Sequence, residues 1–258
     1  MNYQNLKHLI ILFTIIISAS SCNLLVRDHS LKPDDYIKLG MPDNNKVWTN
    51  DDYVAVNITL SSLKMNDPLS LPRKNSRKSG EVFQRLVSPE NLNFIYDTVF
   101  PLRTKAYFIQ YYPRFQTEIE QMYTIDYKGK PYYSEELIDL HIFGLHIQDR
   151  MLELGWIIDR SEDPETEGLK GGMQSVQYNY LRLIPRLLDE LLESESYTPD
   201  GLERLSLAIA ESLTRNKEWM NRENKDYLLT SLKSTAEKSK TGAIKENLGK
   251  CIEILQSR

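Results

Sequence analysis

Between Leu137 and Ile158 the apolar residues do not keep to one side of a helical wheel; they wrap nearly all the way round. A helix that is hydrophobic on every side has to be surrounded, so this segment predicts a central buried helix with other elements packed around it. Ser134 precedes it as a capping residue. Gly144 and Gly155 lie inside it, where the missing side chains let a neighbouring helix come close at a local cost in helix propensity. A chain built round such a segment is expected to be a layered helical body.

The flanking sequence supports an all-α fold. Thr49-Asn50-Asp51-Asp52 offers a cap and early acidic residues for a helix with an apolar face through Val54, Ile58 and Leu63, stopped by Asp67-Pro68. Short helices follow from Ser79-Gly80-Glu81 and from Ser88-Pro89-Glu90, the latter with proline at the favoured first helical position. Residues 94–133 hold twelve of the 22 Phe and Tyr residues. Within them, Arg103 to Met122 reads as helix broken near Pro113. Residues 123–133, with Lys128-Gly129-Lys130 in the middle, read as a small β-hairpin. Ser161 to Gly172 is acidic and ends in two glycines, which makes 161–172 the candidate sub-domain boundary. Four further helices are expected, over Gln174–Leu192 (kinked at Pro185), Pro199–Thr214, Asn224–Lys238 and Gly242–Leu255. The loops between them are short, which favours antiparallel neighbours. The expectation is a multi-helix bundle or irregular helical array with one small hairpin.

The first 22 residues set the address. Lys7 and His8 precede an apolar run from Leu9 to Ile17, then small residues and Cys22. A basic start, a short apolar middle and a small-residue end are the parts of a secretory signal, and the run is too short to span a bilayer. With the cysteine directly after Ala19-Ser20-Ser21, the segment resembles a bacterial lipoprotein signal. The resemblance covers residues 1–22 and implies that 1–21 are removed and that Cys22 carries the lipid. Multiple acyl chains, at about 0.8 kcal/mol per buried methylene, hold a protein stably on a membrane. By the same likeness, Asn23 in place of Asp favours the outer membrane. The absence of an acidic cluster in Leu24-Leu25-Val26-Arg27 favours the periplasmic face. Residues 22–47 have little apolar periodicity and read as a lipidated N-terminus and tether, with the helical body over 48–258.

Removing residues 1–21 leaves 237 of the 258 residues, with 31 basic against 36 acidic side chains because only Lys7 is lost. No global basic footprint for nucleic acid results. With Cys22 acylated, Cys251 is the remaining thiol, so no internal disulfide forms; it shares a helical face with Ile244, Leu248 and Leu255 and reads as a buried hydrophobe.

Chemistry-bearing patterns are sparse. His141 and His146 are five residues apart, about 140° round a helix, where a helical zinc pair needs three or four. Glu136, Asp139 or Asp149 can partner one histidine each, but no metal, cofactor or catalytic residue follows. GxSxG elbows, phosphate-binding glycine loops and paired CxxC motifs are missing. Arg73, Lys74, Arg77 and Lys78 lie just ahead of a predicted helix start, a setting that suits an anionic group or an acidic partner. Tyr111, Tyr112, Tyr132 and Tyr133 would suit glycan binding if their rings were exposed. The leading expectation is a non-catalytic binding or scaffolding role toward an envelope protein. A glycan-binding lipoprotein is the alternative, and an envelope hydrolase around His141 and His146 a weaker one.

Overall fold

A computed structural model describes residues 28–257; Cys22 and the signal segment lie outside the described residues. The α-helices are α1 (Pro33–Lys38), α2 (Asn50–Asn66), α3 (Gly80–Leu86), α4 (Pro89–Asp97), α5 (Leu102–Ile109), α6 (Tyr112–Tyr123), α7 (Ser134–Arg160), α8 (Gly172–Glu190), α9 (Pro199–Asn216), α10 (Arg222–Lys238) and α11 (Gly242–Gln256). The all-α expectation holds. Three helix starts carry side-chain caps, whereas Ser134, expected to cap α7, is its first residue, with Tyr133 at the cap position. The Asp52 carboxylate accepts the Thr49 N–H at 2.8 Å, Thr198 Oγ1 accepts the Gly201 N–H at 3.0 Å, and Asn221 Oδ1 accepts the Asn224 N–H at 2.8 Å. α8 passes through Pro185 as one helix.

The 27-residue α7 is the central element, packed against α6, α8 and α9. At about 100° per residue its surface divides into four strips. Leu137, Leu140, Phe143, Ile147, Leu154 and Ile158 face one apolar cluster, built with α1–α6. Ile138, Leu145 and Leu152 face a second cluster on the other side, built with α8–α11. One seam between these faces holds Glu135, Asp139, His146, Asp149, Arg150 and Glu153. The opposite seam holds His141, Gly144, Gln148 and Gly155. The near-uniform hydrophobicity of the segment therefore arises from two cores sharing one helix. The glycines act as expected: a Cβ on Gly144 would sit 3.3 Å from the Gln116 side chain, and one on Gly155 would sit 3.0 Å from Met173 Sδ.

Three expectations need correction. No strand is present among the described residues, so the hairpin over 123–133 reduces to one isolated bridge between Asp126 and Pro131. Lys128 and Gly129 turn the chain at positive φ, and the Tyr127 N–H donates to Lys130 O at 2.8 Å. Pro131 has no N–H to extend the ladder, and α6 and α7 begin too close on either side to leave strand length. Second, the segment read as a tether is packed from Ser30 onward, with Tyr36 and Met41 in the first cluster. Third, α2 buries Tyr53, Val56, Leu60 and Leu63, while Val54 and Ile58 point outward.

Candidate functional site

The seam of α7 that carries Glu135 through Glu153 is closed at one end and open at the other. At the closed end, Arg204 from α9 pairs with Glu135 at 2.8 Å and with Asp139, which also takes Lys74 Nζ at 2.8 Å. At the open end, His146, Asp149, Arg150 and Glu153, spaced i, i+3, i+4, i+7, line one side of a cleft of about 630 Å³. α4 supplies Pro89, Leu92 and Asn93, the end of α9 supplies Arg215 and Asn216, and the turn after it supplies Trp219.

Asp149 anchors this end. Its buried carboxylate accepts from Ser212 Oγ, from Asn216 Nδ2 at 2.6 Å and from Arg215 Nη1 at 2.7 Å, and Tyr180 Oη lies 2.9 Å behind Ser212. Burial raises its pKa against the opposing pull of Ser212, Arg215 and Asn216. Burial also pushes the His146 imidazole below its usual value, with Asp149 working against the shift and Arg215 with it. Arg150 donates Nη1 to Glu153 at 2.9 Å and Nη2 to Asn93 Oδ1 at 2.8 Å, and its guanidinium lies 4.6 Å from the centre of the Tyr96 ring. The Trp219 ring stacks on Trp156 (centroids 6.4 Å apart, 21° between planes), and Arg160 sits 4.0 Å over Trp156.

The histidines noticed together in the sequence stand on opposite seams. His141 is buried, with neither ring nitrogen hydrogen-bonded; its Nδ1 is 3.7 Å from Glu120 Oε2. Glu136 accepts the Lys74 N–H at 2.7 Å, so it serves the 73–78 loop rather than a histidine. A shared two-histidine centre does not form, and no group of three or more metal-ligating side chains is present among the described residues.

The basic loop is held to the body by its own side chains. Arg73 lies 3.8 Å from Glu136 and over the Tyr132 ring at 4.7 Å, while Lys78 Nζ donates to the carbonyls of Asp28 and Ser30. Arg77 is exposed. The tyrosines are core residues for the most part. Tyr112, Tyr132 and Tyr133 are buried, and half-buried Tyr111 meets Tyr107 edge-on at 5.3 Å. The glycan surface expected from these four rings is therefore not formed. Cys251 is buried and its thiol is pushed up to about 12 by that burial.

No family model, curated protein or solved structure matches this chain.

Sequence reasoning named His146 and Asp149 but missed the cleft they open on. The spacing 146, 149, 150, 153 was the readable signal: four polar residues on one strip of an apolar helix. Asn93, Arg215, Asn216 and Trp219 arrive from elements more than fifty residues away along the chain and carry no local pattern.

Proposed function

We propose that this chain is an outer-membrane lipoprotein, anchored through acylated Cys22 and facing the periplasm, with a non-catalytic binding or scaffolding role toward an envelope protein. The lipoprotein-like signal supports the anchor. The binding half rests on one observation: α2 has a second apolar stripe on the side away from its core. Val54, Ile58 and Met65 align there and are 54%, 67% and 81% exposed. Ile58 and Met65 line a groove of about 670 Å³ against Met122, Glu118 and Gln121 of α6. An exposed apolar ridge beside a methionine-lined groove suits an amphipathic helix from a partner, because methionine adapts to varied surfaces.

A photo-crosslinking residue at Met65, in the native envelope, tests this reading. One partner is expected to crosslink in stoichiometric yield, and Ile58→Glu is expected to abolish the product. Ile58→Glu alters an exposed site and should change stability by no more than about 0.5 kcal/mol. Crosslinks scattered over many proteins, or unchanged by Ile58→Glu, would overturn the binding role. An unmodified Cys22 thiol in the intact mass of the N-terminal peptide would overturn the anchor.

A further inference from the structure

We propose that the cleft at the open end of the α7 seam binds a neutral saccharide, stacked on Trp219 and hydrogen-bonded by His146, Asn93 and Glu153. This assignment uses no residue of the α2–α6 groove, so either reading can fail while the other stands.

The cleft has the size for it: about 630 Å³ falls within the range of roughly 300–1,000 Å³ that holds small ligands. Its charges are already balanced internally. Arg150 has Glu153 at 2.9 Å and Arg215 has Asp149 at 2.7 Å, so no surplus charge remains to select an anion or a cation. Burial favours the uncharged imidazole at His146, which then presents one donor and one acceptor.

The unused hydrogen-bonding groups point the same way. Among the described residues the His146 ring makes no hydrogen bond; Asn93 gives its oxygen to Arg150 and keeps its amide N–H groups. Such orphaned groups call for a partner. His146 and Asn93 offer donors and His146 and Glu153 offer acceptors, and a hydroxyl group, which both donates and accepts, satisfies such a lining better than a one-sided ligand. Trp219, half-buried at the turn after α9, lines the same cleft and offers its ring to the C–H face of a sugar. The stack of Arg160, Trp156 and Trp219 holds that indole in place from behind.

Intrinsic tryptophan fluorescence of the full chain in a non-glycosidic detergent reads this cleft directly, because Trp219 lines it and Trp156 touches Trp219. Maltotriose, cellotriose and triacetylchitotriose are the probes, with glycylglycine and inorganic phosphate as zwitterionic and anionic controls. At least one trisaccharide should give a saturable change that neither control produces. Trp219→Ala and His146→Ala should each weaken its binding about tenfold, which corresponds to about 1.4 kcal/mol. Trp219→Phe keeps an aromatic face and should retain most of the affinity, which separates lost stacking from lost folding. Saturation by none of the three sugars, by a control equally well, or unchanged in both alanine variants would overturn the assignment.

Discussion

The two apolar clusters on either side of α7 are built by different means. The first is rich in aromatic rings, the second almost wholly aliphatic: Tyr36, Trp48, Tyr53, Phe83, Tyr112, Tyr123 and Tyr133 stand on one side, and Leu187, Leu205, Ile209, Leu228, Leu232 and Leu248 on the other. The reason lies in the backbone. The second cluster is closed by long helices, α8 to α11, whose peptide groups are paired within each helix. The first is closed in part by short helices and by the segment Pro68 to Pro72, one 3-10 turn followed by extended chain, which is buried from Ser70 onward and finds few helical partners. Three tyrosine hydroxyls converge on it. Tyr36 Oη donates to Ser70 O at 2.8 Å, Tyr123 Oη to Pro72 O at 2.8 Å, and Tyr133 Oη to Pro68 O at 3.0 Å while accepting the Leu71 N–H at 3.1 Å. A buried peptide group without a partner is costly, so a loop can enter a core only where side chains with a polar tip meet it. Aliphatic packing suffices where helices alone close the core; tyrosine is needed where a loop enters it.

The largest effect expected from testing this contrast is in the aliphatic half. Leu205 is fully buried among α7, α9 and α11 neighbours, and Leu205→Ala leaves a cavity costing about 2–5 kcal/mol. Urea unfolding followed by far-UV circular dichroism should show one transition moved to lower denaturant, because α7 contributes to both clusters. Two separated transitions would mean that the second cluster folds without the first, and the shared-helix description would be wrong.

Across the second seam the halves are joined by charge. Glu120 on α6 pairs with Arg186 on α8 at 2.8 Å and stands 3.7 Å from His141 on α7. Burial works against its charge, yet His141 and Arg186 hold its pKa down to about 2 from an ordinary 4.5. Since the folded value lies below the unfolded one, the stabilisation is present above about 4.5 and disappears as the pH falls toward 2. Its ceiling is about 3 kcal/mol. Glu120→Gln should therefore be less stable than the parent near neutral pH, and the gap between their urea midpoints should close over that acid window. A gap independent of pH would show that the pair bridging the halves is not coupled as its geometry implies.

Legibility in the sequence follows the same division. The aliphatic half was readable because long helices repeat their apolar positions, and Thr198, Pro199 and Gly242 mark their ends. The aromatic half was only partly so. Tyr36 and Met41 are single anchors in an aperiodic stretch, and no pattern distinguishes an anchor from a tether. On α2 both wheel faces carry apolar residues, and Val54 and Ile58 were chosen over the buried set of Tyr53, Val56 and Leu60 because periodicity cannot say which face meets the core. The cleft was half visible. Its α7 residues share a helical spacing, whereas Asn93, Arg215, Asn216 and Trp219 come together only through the packing of α4 and α9 on α7.

The smallest effect separates the two clusters most sharply, because it compares the same atom lost from each. Tyr133→Phe removes a hydroxyl that serves two backbone groups, the part-buried Pro68 carbonyl and the buried Leu71 N–H. Leu71 is fully buried, so its N–H is left without that acceptor and the cost should be about 1–2 kcal/mol. Tyr180→Phe removes a hydroxyl of the second cluster whose partner is Ser212 Oγ at 2.9 Å. Ser212 still donates to Asp149, and no peptide group is left unpaired, so the loss should be about 0.5 kcal/mol. Chemical denaturation of both variants against the parent resolves the difference, with hydrogen exchange at Leu71 as the local reporter. Faster exchange at Leu71 is expected in Tyr133→Phe alone. Equal destabilisation of the two variants would mean that the first cluster does not depend on tyrosine to admit its loop, and its aromatic composition would then need an explanation other than backbone pairing.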